Sequence, residues 1–570
     1  MNMNKKCQGL PPLKSLSLAV MAMGCATQVH AFNISSGGDW DVNLDTTVQY
    51  TAGWRAQGRD SGIANHAFFA EGDYKFDKGD MVTSRLQALS ELQGVYQNNT
   101  GFRISASAWK DFAYDDKVET NPQPGYDSIL SYNGGKYSNE TKRYHIQGGE
   151  LLDAFVFHNT ELADKPLYLK AGRFTQYWGN ALFFPFSNIA YSQHPVDFLK
   201  SFTQPGSEVK ELFLPRTQLM ASTDLTPELS VSAQYFLEFR PNRFPEGGTY
   251  LGPFDILYSG PNNGGAVAGM FGGPVSAGNE HKPKDINDNF GVKVAWSPEW
   301  AGGDLGFYYR QFDEVQPWSG GTIYAGGGGE VGLNYADKVR LYGISYERTF
   351  GALSTGLELS YRTNTALNSA FSNGQPGVPY REGARGNIVN LIANGLYTLG
   401  QNSLWDTGVL LAELSYTHLD KVTENDAYFN GVGYASCTDS LNSALKGGKK
   451  DGCATRNAVA VAFLFEPQWL QALPSIDLSM PTSLTYGING NPAYAAGSFY
   501  AEETQIYSIG IKAVYQQKHS VTLQYNGYHW NTSPKGPSGF GNDAYSGFGG
   551  NGPVALNDKG WVSLNFKTSF

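Results

Sequence analysis

The final ten residues, Trp561 to Phe570, alternate in character: Val562, Leu564, Phe566 and Phe570 share one face, and Ser563, Asn565, Lys567 and Ser569 share the other. A period of two marks a strand whose faces meet different surroundings. The same period returns upstream. Val42, Leu44, Val48 and Tyr50 oppose Asn43, Asp45, Thr47 and Gln49, and Leu229, Val231, Ala233, Tyr235 and Leu237 oppose Ser230, Ser232, Gln234 and Glu238. Leu353, Leu357, Leu359 and Tyr361 oppose Ser354, Glu358 and Arg362, and Val521, Leu523 and Tyr525 oppose Thr522, Gln524 and Asn526. Each run is about the ten residues a tilted strand needs to cross a bilayer, whereas past the N-terminus no apolar run approaches the ~18 of a membrane helix. Hydrocarbon leaves no water for open backbone groups, so strands cross it only as a closed barrel.

Connection lengths point the same way. Short links at Gln97–Thr100, Glu161–Pro166, Leu225–Glu228, Ser297–Gly303, Thr349–Ala352, Leu399–Trp405 and Gln516–Lys518 punctuate the chain. Between them lie long links near 55–82, 115–143, 177–215, 241–287, 314–337, 364–384, 421–456, 490–503 and 531–559. Short periplasmic turns alternating with long outer loops predict an all-β transmembrane antiparallel barrel of about eighteen strands, with sixteen the near alternative. A secreted sandwich or propeller would also alternate, but with shorter strands and no such rhythm.

The N-terminus predicts export. Lys5, Lys6 and Lys14 make a basic head, Leu16 to Ala26 an apolar stretch, and Val29-His30-Ala31 a cleavage site, which leaves 32–570 as the mature barrel. Acylation at Cys25 is the rival reading, disfavoured by Ala22 where a large aliphatic is usual. The chain carries a formal charge of −10, and losing three lysines makes the exported part more acidic still, which argues against nucleic acid. Aromatic residues make up 14% of the chain and glycines number 68, as the interfacial belts and turns of a barrel require. Cys437 and Cys453 remain as a lone pair in a Gly/Ser/Lys-rich loop, where an oxidising compartment predicts a disulfide.

If the apolar faces meet lipid, the opposite faces line the interior with both signs of charge: Asp45, Arg85, Glu91, Arg103, Asp111, Lys170, Glu238, Lys293, Glu358, Arg362, Glu413, Lys512 and Lys567. A barrel this wide holds water or an inserted segment. The candidate insert lies within 171–216, with its core at 177–215: it carries Arg173, Trp178, Pro185, His194, Pro195, Asp197, Pro205 and Pro215, and an apolar run Leu182–Phe186 unsuited to water. Folding inward as a plug and packing on the rim as a lid are both open.

Several motifs in and around this segment carry a resemblance. Gly172-Arg173, Trp178-Gly179, Phe183-Phe184, His194-Pro195-Val196-Asp197, Pro205-Gly206-Ser207-Glu208, Lys210-Glu211 and Pro215 resemble the pattern of a proteobacterial outer-membrane family known as domain of unknown function number 1302. Trp54-Arg55, Arg59-Asp60 and the stretch Tyr235, Glu238, Pro241-Asn242-Arg243-Phe244-Pro245 and Gly248-Thr249-Tyr250 fit it too. His194 and Asn180 stand where the family more often has Asn and an acid, which puts shared specificity in doubt. The resemblance implies handling of lipids or other hydrophobic compounds, with a periplasmic lipoprotein and an inner-membrane lipid exporter as partners. The terminal Phe570 further resembles the signal read by the barrel-assembly machinery, with Thr568 its weak position.

Other chemistry is not suggested. His145, His158, His194, His281, His418, His519 and His529 show no spacing that would serve a nucleophile, so no enzyme is expected. Gly326 to Gly329 lack the Lys-Ser/Thr of a phosphate loop, so no cofactor is expected either. Asp115, Asp116 and Asp127 read more readily as a solvated loop than as a Ca²⁺ site, and no metal is expected. The leading expectation is a barrel that binds or passes a hydrophobic or amphipathic molecule, with Arg173, Trp178, Phe183, Phe184, Phe186, His194 and Asp197 at the ligand or gate. The alternatives are a porin-like channel for small polar solutes and a barrel whose outer loops bind partners.

Overall fold

The computed structural model describes residues 32–34, 38–207, 209–284, 286–371, 376–378, 382–537 and 543–570. The signal sequence expected at 1–31, and Glu208 of the motif, lie outside the described residues. Eighteen antiparallel strands close into one barrel. They are Trp40–Arg55 (β1), Met81–Tyr96 (β2), Thr100–Asp111 (β3), Gln147–Leu162 (β4), Lys165–Phe174 (β5) and Arg216–Thr226 (β6). Next come Leu229–Phe236 (β7), Phe290–Trp296 (β8), Asp304–Phe312 (β9), Val339–Phe350 (β10), Leu353–Ala366 (β11) and Arg385–Leu399 (β12). Thr407–Glu424 (β13) and Asn457–Leu473 (β14) lead to β15, which runs as Ile476–Ser479 and Thr482–Asn489. Gln505–Tyr515 (β16), His519–His529 (β17) and Trp561–Ser569 (β18) complete the wall. The ring closes where β18 pairs with β1, from Thr47 opposite Ser569 to Arg55 opposite Trp561.

Alternation sorts the two faces as expected. On β11, Leu357 and Leu359 are exposed on the outside while Glu358, Ser360 and Arg362 are buried within. Ile344 of β10 sits opposite Leu359, so neighbouring strands present one continuous apolar surface to lipid. Phe290, Tyr309 and Tyr342 stand in a row on β8, β9 and β10, with ring centroids 5.8 and 5.2 Å apart, which is the amphipathic belt of a membrane interface. Among the described residues no helix is long and apolar enough to cross a membrane.

All nine long connections fall where they were expected, on the side reached by the upper ends of β1 and β3, and all seven short ones are periplasmic-type turns. An eighth short turn, Pro474-Ser475 between β14 and β15, was not foreseen. Beyond it Met480-Pro481 interrupts β15, because a proline cannot donate to the ladder. Two other expectations are corrected. Glu238 lies beyond the end of β7 at Phe236, and its carboxylate accepts from the Thr217 amide (2.9 Å) and hydroxyl (2.8 Å) at the rim, so it is not a residue of the wall strand. The inserted segment starts after Phe174 and ends at Pro215, because residues 171–174 and Arg216 belong to β5 and β6. The Cys437–Cys453 disulfide is formed, with Cα atoms 5.6 Å apart, and both cysteines are buried in the loop between β13 and β14.

Candidate functional site

Between β5 and β6 the chain has little regular structure, so its amides need acceptors from elsewhere. Two inward carboxylates supply them. Glu358 on β11 accepts from the amides of Asn180, Ala181 (2.9 Å) and Ile189 (2.8 Å). Glu413 on β13 accepts from Leu182 (2.5 Å), Phe183 (2.8 Å) and Phe184 (3.0 Å). Two arginines hold the carbonyls. Arg310 on β9 donates to those of Ile189 (2.9 Å) and Tyr191 (2.7 Å), and Arg362 on β11 to that of Phe186 (3.1 Å). Hydrogen bonds to charged groups contribute about 1.5–3 kcal/mol each, so this backbone is firmly seated against the inner wall. The segment therefore folds inward. Its far end is held as well, by Asn565 of β18 donating to the Pro205 carbonyl at 2.9 Å.

Its aromatic side chains join a stack built from three outer loops. Phe184 meets Tyr500 at 5.0 Å, Phe186 meets Phe198 at 5.3 Å, Phe198 meets Phe244 at 4.8 Å, and Phe244 meets Tyr258 at 4.7 Å. Phe499 packs against Phe244 at 5.9 Å and Phe198 at 6.4 Å. Pairs at such spacing add about 0.5–1.5 kcal/mol beyond the area they bury.

Two motifs distant in the sequence dock edge to edge. The Val196 amide donates to the Asn242 side chain (2.8 Å), and the Arg243 amide donates to the Val196 carbonyl (3.0 Å). Asp197 caps the helix Phe198–Thr203 (α1) by accepting from the Lys200 amide at 3.0 Å, and its other oxygen pairs with Arg243 at 2.6 Å. Arg243 also reaches Glu150 of β4 at 2.8 Å, and Glu150 is shared with Lys200 (3.1 Å) and Arg240 (3.2 Å). Burial by itself would lower the Arg243 pKa, but the carboxylates of Asp197 and Glu150 more than offset it and hold the charge well above the ordinary value. Beside this network opens a cavity of about 330 Å³, lined by Glu150, Leu151, Arg173, Arg240 and Arg243 together with Phe244 and Tyr258.

Of the residues expected at a ligand or gate, Phe184 and Phe186 lie in the ring stack and Phe183 is held at its edge. Arg173 lies at the cavity and pairs with Glu238 at 3.5 Å. Trp178 is buried under the wall, its amide bound to the Gln193 side chain at 2.7 Å, and it packs on Tyr308. His194 is enclosed between Phe213 (3.9 Å) and Tyr177 (5.4 Å), with Nδ1 3.2 Å from the Gln176 carbonyl; burial lowers its pKa to about 3 and keeps it neutral. Asp197 faces Arg243 and His194 faces the Gln176 carbonyl, so both help pin the segment.

On the wall, Glu91 pairs with Arg103, Arg103 with Asp153 at 3.4 Å, and Arg85 stacks on Trp109. Asp45 and Lys170 share the inward side with them, and the Lys170 ammonium sits 3.8 Å from the Phe155 ring centroid. Asp115 pairs with Lys75 at 2.7 Å. Sequence reasoning missed Glu150, Lys200, Arg240 and the loop rings Tyr494, Phe499 and Tyr500. The Pro492-Ala-Tyr-Ala-Ala-Gly-Ser-Phe-Tyr500 run is aromatic for a solvated loop, and that signal was there to be read.

An eighteen-strand wall with a lipid-facing exterior and an inward-folded segment defines a transmembrane β-barrel of the outer-membrane type. The chain belongs to the family described as "Protein of unknown function (DUF1302)", whose model matches residues 13–570. Among solved structures, it is similar to OccAB4 of Acinetobacter baumannii, with 10% identity over 94% of this chain and 100% of that one and a TM-score of 0.41. It is similar to OpdK of Pseudomonas aeruginosa, solved with vanillate, at 9% identity over 93% and 98% with a TM-score of 0.40. It is also similar to the outer membrane channel DcaP of Acinetobacter baumannii, at 10% identity over 95% and 99% with a TM-score of 0.34. No curated protein matches the chain.

Proposed function

We propose that this barrel binds and passes an amphipathic, lipid-like molecule across the outer membrane, and that it does so as a conduit and not as an enzyme. The observation that carries the reading is how the interior charges are used. Glu358, Glu413, Arg310 and Arg362, which would line a hydrated constriction, are bound to the backbone of the inserted segment, and the rim cavity leads to the stack Tyr258, Phe244, Phe198 and Phe186. A charged mouth continuous with an aromatic interior suits a molecule with a polar head and an apolar body. The inserted segment serves as the gate. Outer-membrane lipids, the assembly machinery, a periplasmic lipoprotein and an inner-membrane exporter are its proposed partners.

A porin-like channel for small polar solutes is the second reading. The mixed wall of Glu91, Arg103 and Asp153, which lies apart from the segment's anchors, favours it. Liposome swelling with sugars of graded size separates the two. Swelling no faster than in empty liposomes is expected; fast, size-limited uptake would establish the porin.

A further inference from the structure

On β4 the barrel wall has a strand edge without a ladder. Residues Gln147 to Leu151 of β4 pair with Lys110 to Ala106 of β3 on one side. On the other side the ladder to β5 begins only at Ala154 opposite Arg173, and β5 ends at Phe174, where the chain turns into the interior. Among the described residues no strand covers that edge of Gln147–Leu151, which at ~3.3 Å per residue leaves an aperture about 15 Å tall.

Side chains close it. Arg143 reaches from above to the Gly149 carbonyl at 3.4 Å, and Arg173 and Arg240 both reach the Pro215 carbonyl, at 3.4 and 3.0 Å. Arg240 also bridges to Glu150 on the open edge. Exposed leucines stand on the edge and on nearby strands: Leu151 is 47% exposed, Leu219 of β6 45% and Leu237, just past β7, 48%. The rim cavity adjoins the same place, with Leu151, Phe244 and Tyr258 all among its lining residues. An unpaired strand edge is tolerated where it borders a cavity or protein, so the missing ladder needs a reason.

We propose that this aperture is a side opening through which the apolar chain of an acidic amphipath moves between the bilayer and the aromatic stack, its head group exchanging onto the guanidinium groups of Arg173, Arg240 and Arg243. The inference rests on the proposed lipid-like substrate and adds its route. A chain sliding sideways passes from the exposed leucines along the stems of the arginines to the aromatic rings, whereas one passing up through the loops crosses bulk water. The arginine clasp is made of side chains alone, so it opens by rotamer changes without breaking a strand.

The test uses the full barrel in nanodiscs loaded with hexadecanoate bearing a mid-chain diazirine, photolysed and mapped by mass spectrometry. The wild-type protein should be labelled on Leu151 and on Phe244 or Phe198. Leu151→Arg, which sets a charge in the aperture, should cut the label on the stack about tenfold, while Leu169→Arg on the neighbouring lipid face leaves it unchanged. Folded migration of unheated samples on gels confirms each barrel. Stack label that ignores Leu151→Arg would overturn the side opening and keep the lipid-like substrate. Absence of label from the stack in the wild type would overturn both.

Discussion

Arg243 sits between two buried acids, Asp197 at 2.6 Å and Glu150 at 2.8 Å, and ties the inserted segment to an outer loop and to the wall at once. Removing one partner of such a cluster leaves uncompensated charge in a dry site, so Arg243→Ala should cost about 3–5 kcal/mol in urea unfolding of the purified barrel. A loss near zero would mean that water enters freely and the network holds nothing. His194 gives a pH test. Burial, ahead of the nearby Arg310 and Arg216, lowers its folded pKa to about 3, while the unfolded value stays near 6.5. Between those values the unfolded chain binds a proton that the folded one refuses, so His194 makes stability fall as pH drops from about 6.5 towards about 3. Asp558 acts with the opposite sign, because burial first and Asp73 second push its pKa up to about 7. The difference between wild type and His194→Gln isolates the histidine: the variant should lose less stability on acidification, and an equal loss would contradict its burial. At this scale the sequence named Asp197 and Arg243 within motifs, but nothing local marks Glu150, which follows two glycines and gains its role from side chains 50, 90 and 93 residues away.

The inserted element depends on two carboxylates. Replacing Glu358 and Glu413 together by alanine leaves the amides of residues 180–184 and 189 without acceptors, and should free the segment from the wall while the strands remain paired. Single-channel conductance in planar bilayers should then rise several-fold; unchanged conductance would show that the segment does not obstruct the interior. Reducing the Cys437–Cys453 bridge is a milder change. It should expose the loop between β13 and β14 to protease and leave heat-resistant gel migration intact, since the bridge closes a loop outside the wall. The element's inward course was half legible: its prolines and Leu182–Phe186 ruled out both a strand and a wet loop, but not a lid on the rim. The short turns were legible mainly by length. Gln97-Asn98 and Gln516-Gln517 take φ of 47° and 57°, and 49° and 56°, as a type I′ hairpin demands, without the Asn-Gly signature that would announce it. Pro474-Ser475 differs, since proline fixes a negative φ and only Ser475 is positive, at 61°.

For the whole molecule, the alternation of faces and the rhythm of short and long connections carried the fold, because both follow from lipid outside and two unlike edges above and below. The uneven height of the wall was not legible. Strands β5, β7 and β8 end early because the chain leaves the ladder for partners far along the sequence, and the open edge of β4 follows from that. Function is expressed at this scale, as a charged rim, an aromatic interior and an apolar exterior that meet at one cavity. The most direct measurement is mass spectrometry of the organic extract from the barrel purified out of native membranes in mild detergent, set against an Arg173→Ala, Arg240→Ala double variant and an unrelated porin. A single-chain or small amphipathic species should be enriched on the wild-type protein and depleted on the variant; an extract indistinguishable from the porin's would rule out a lipid-like substrate.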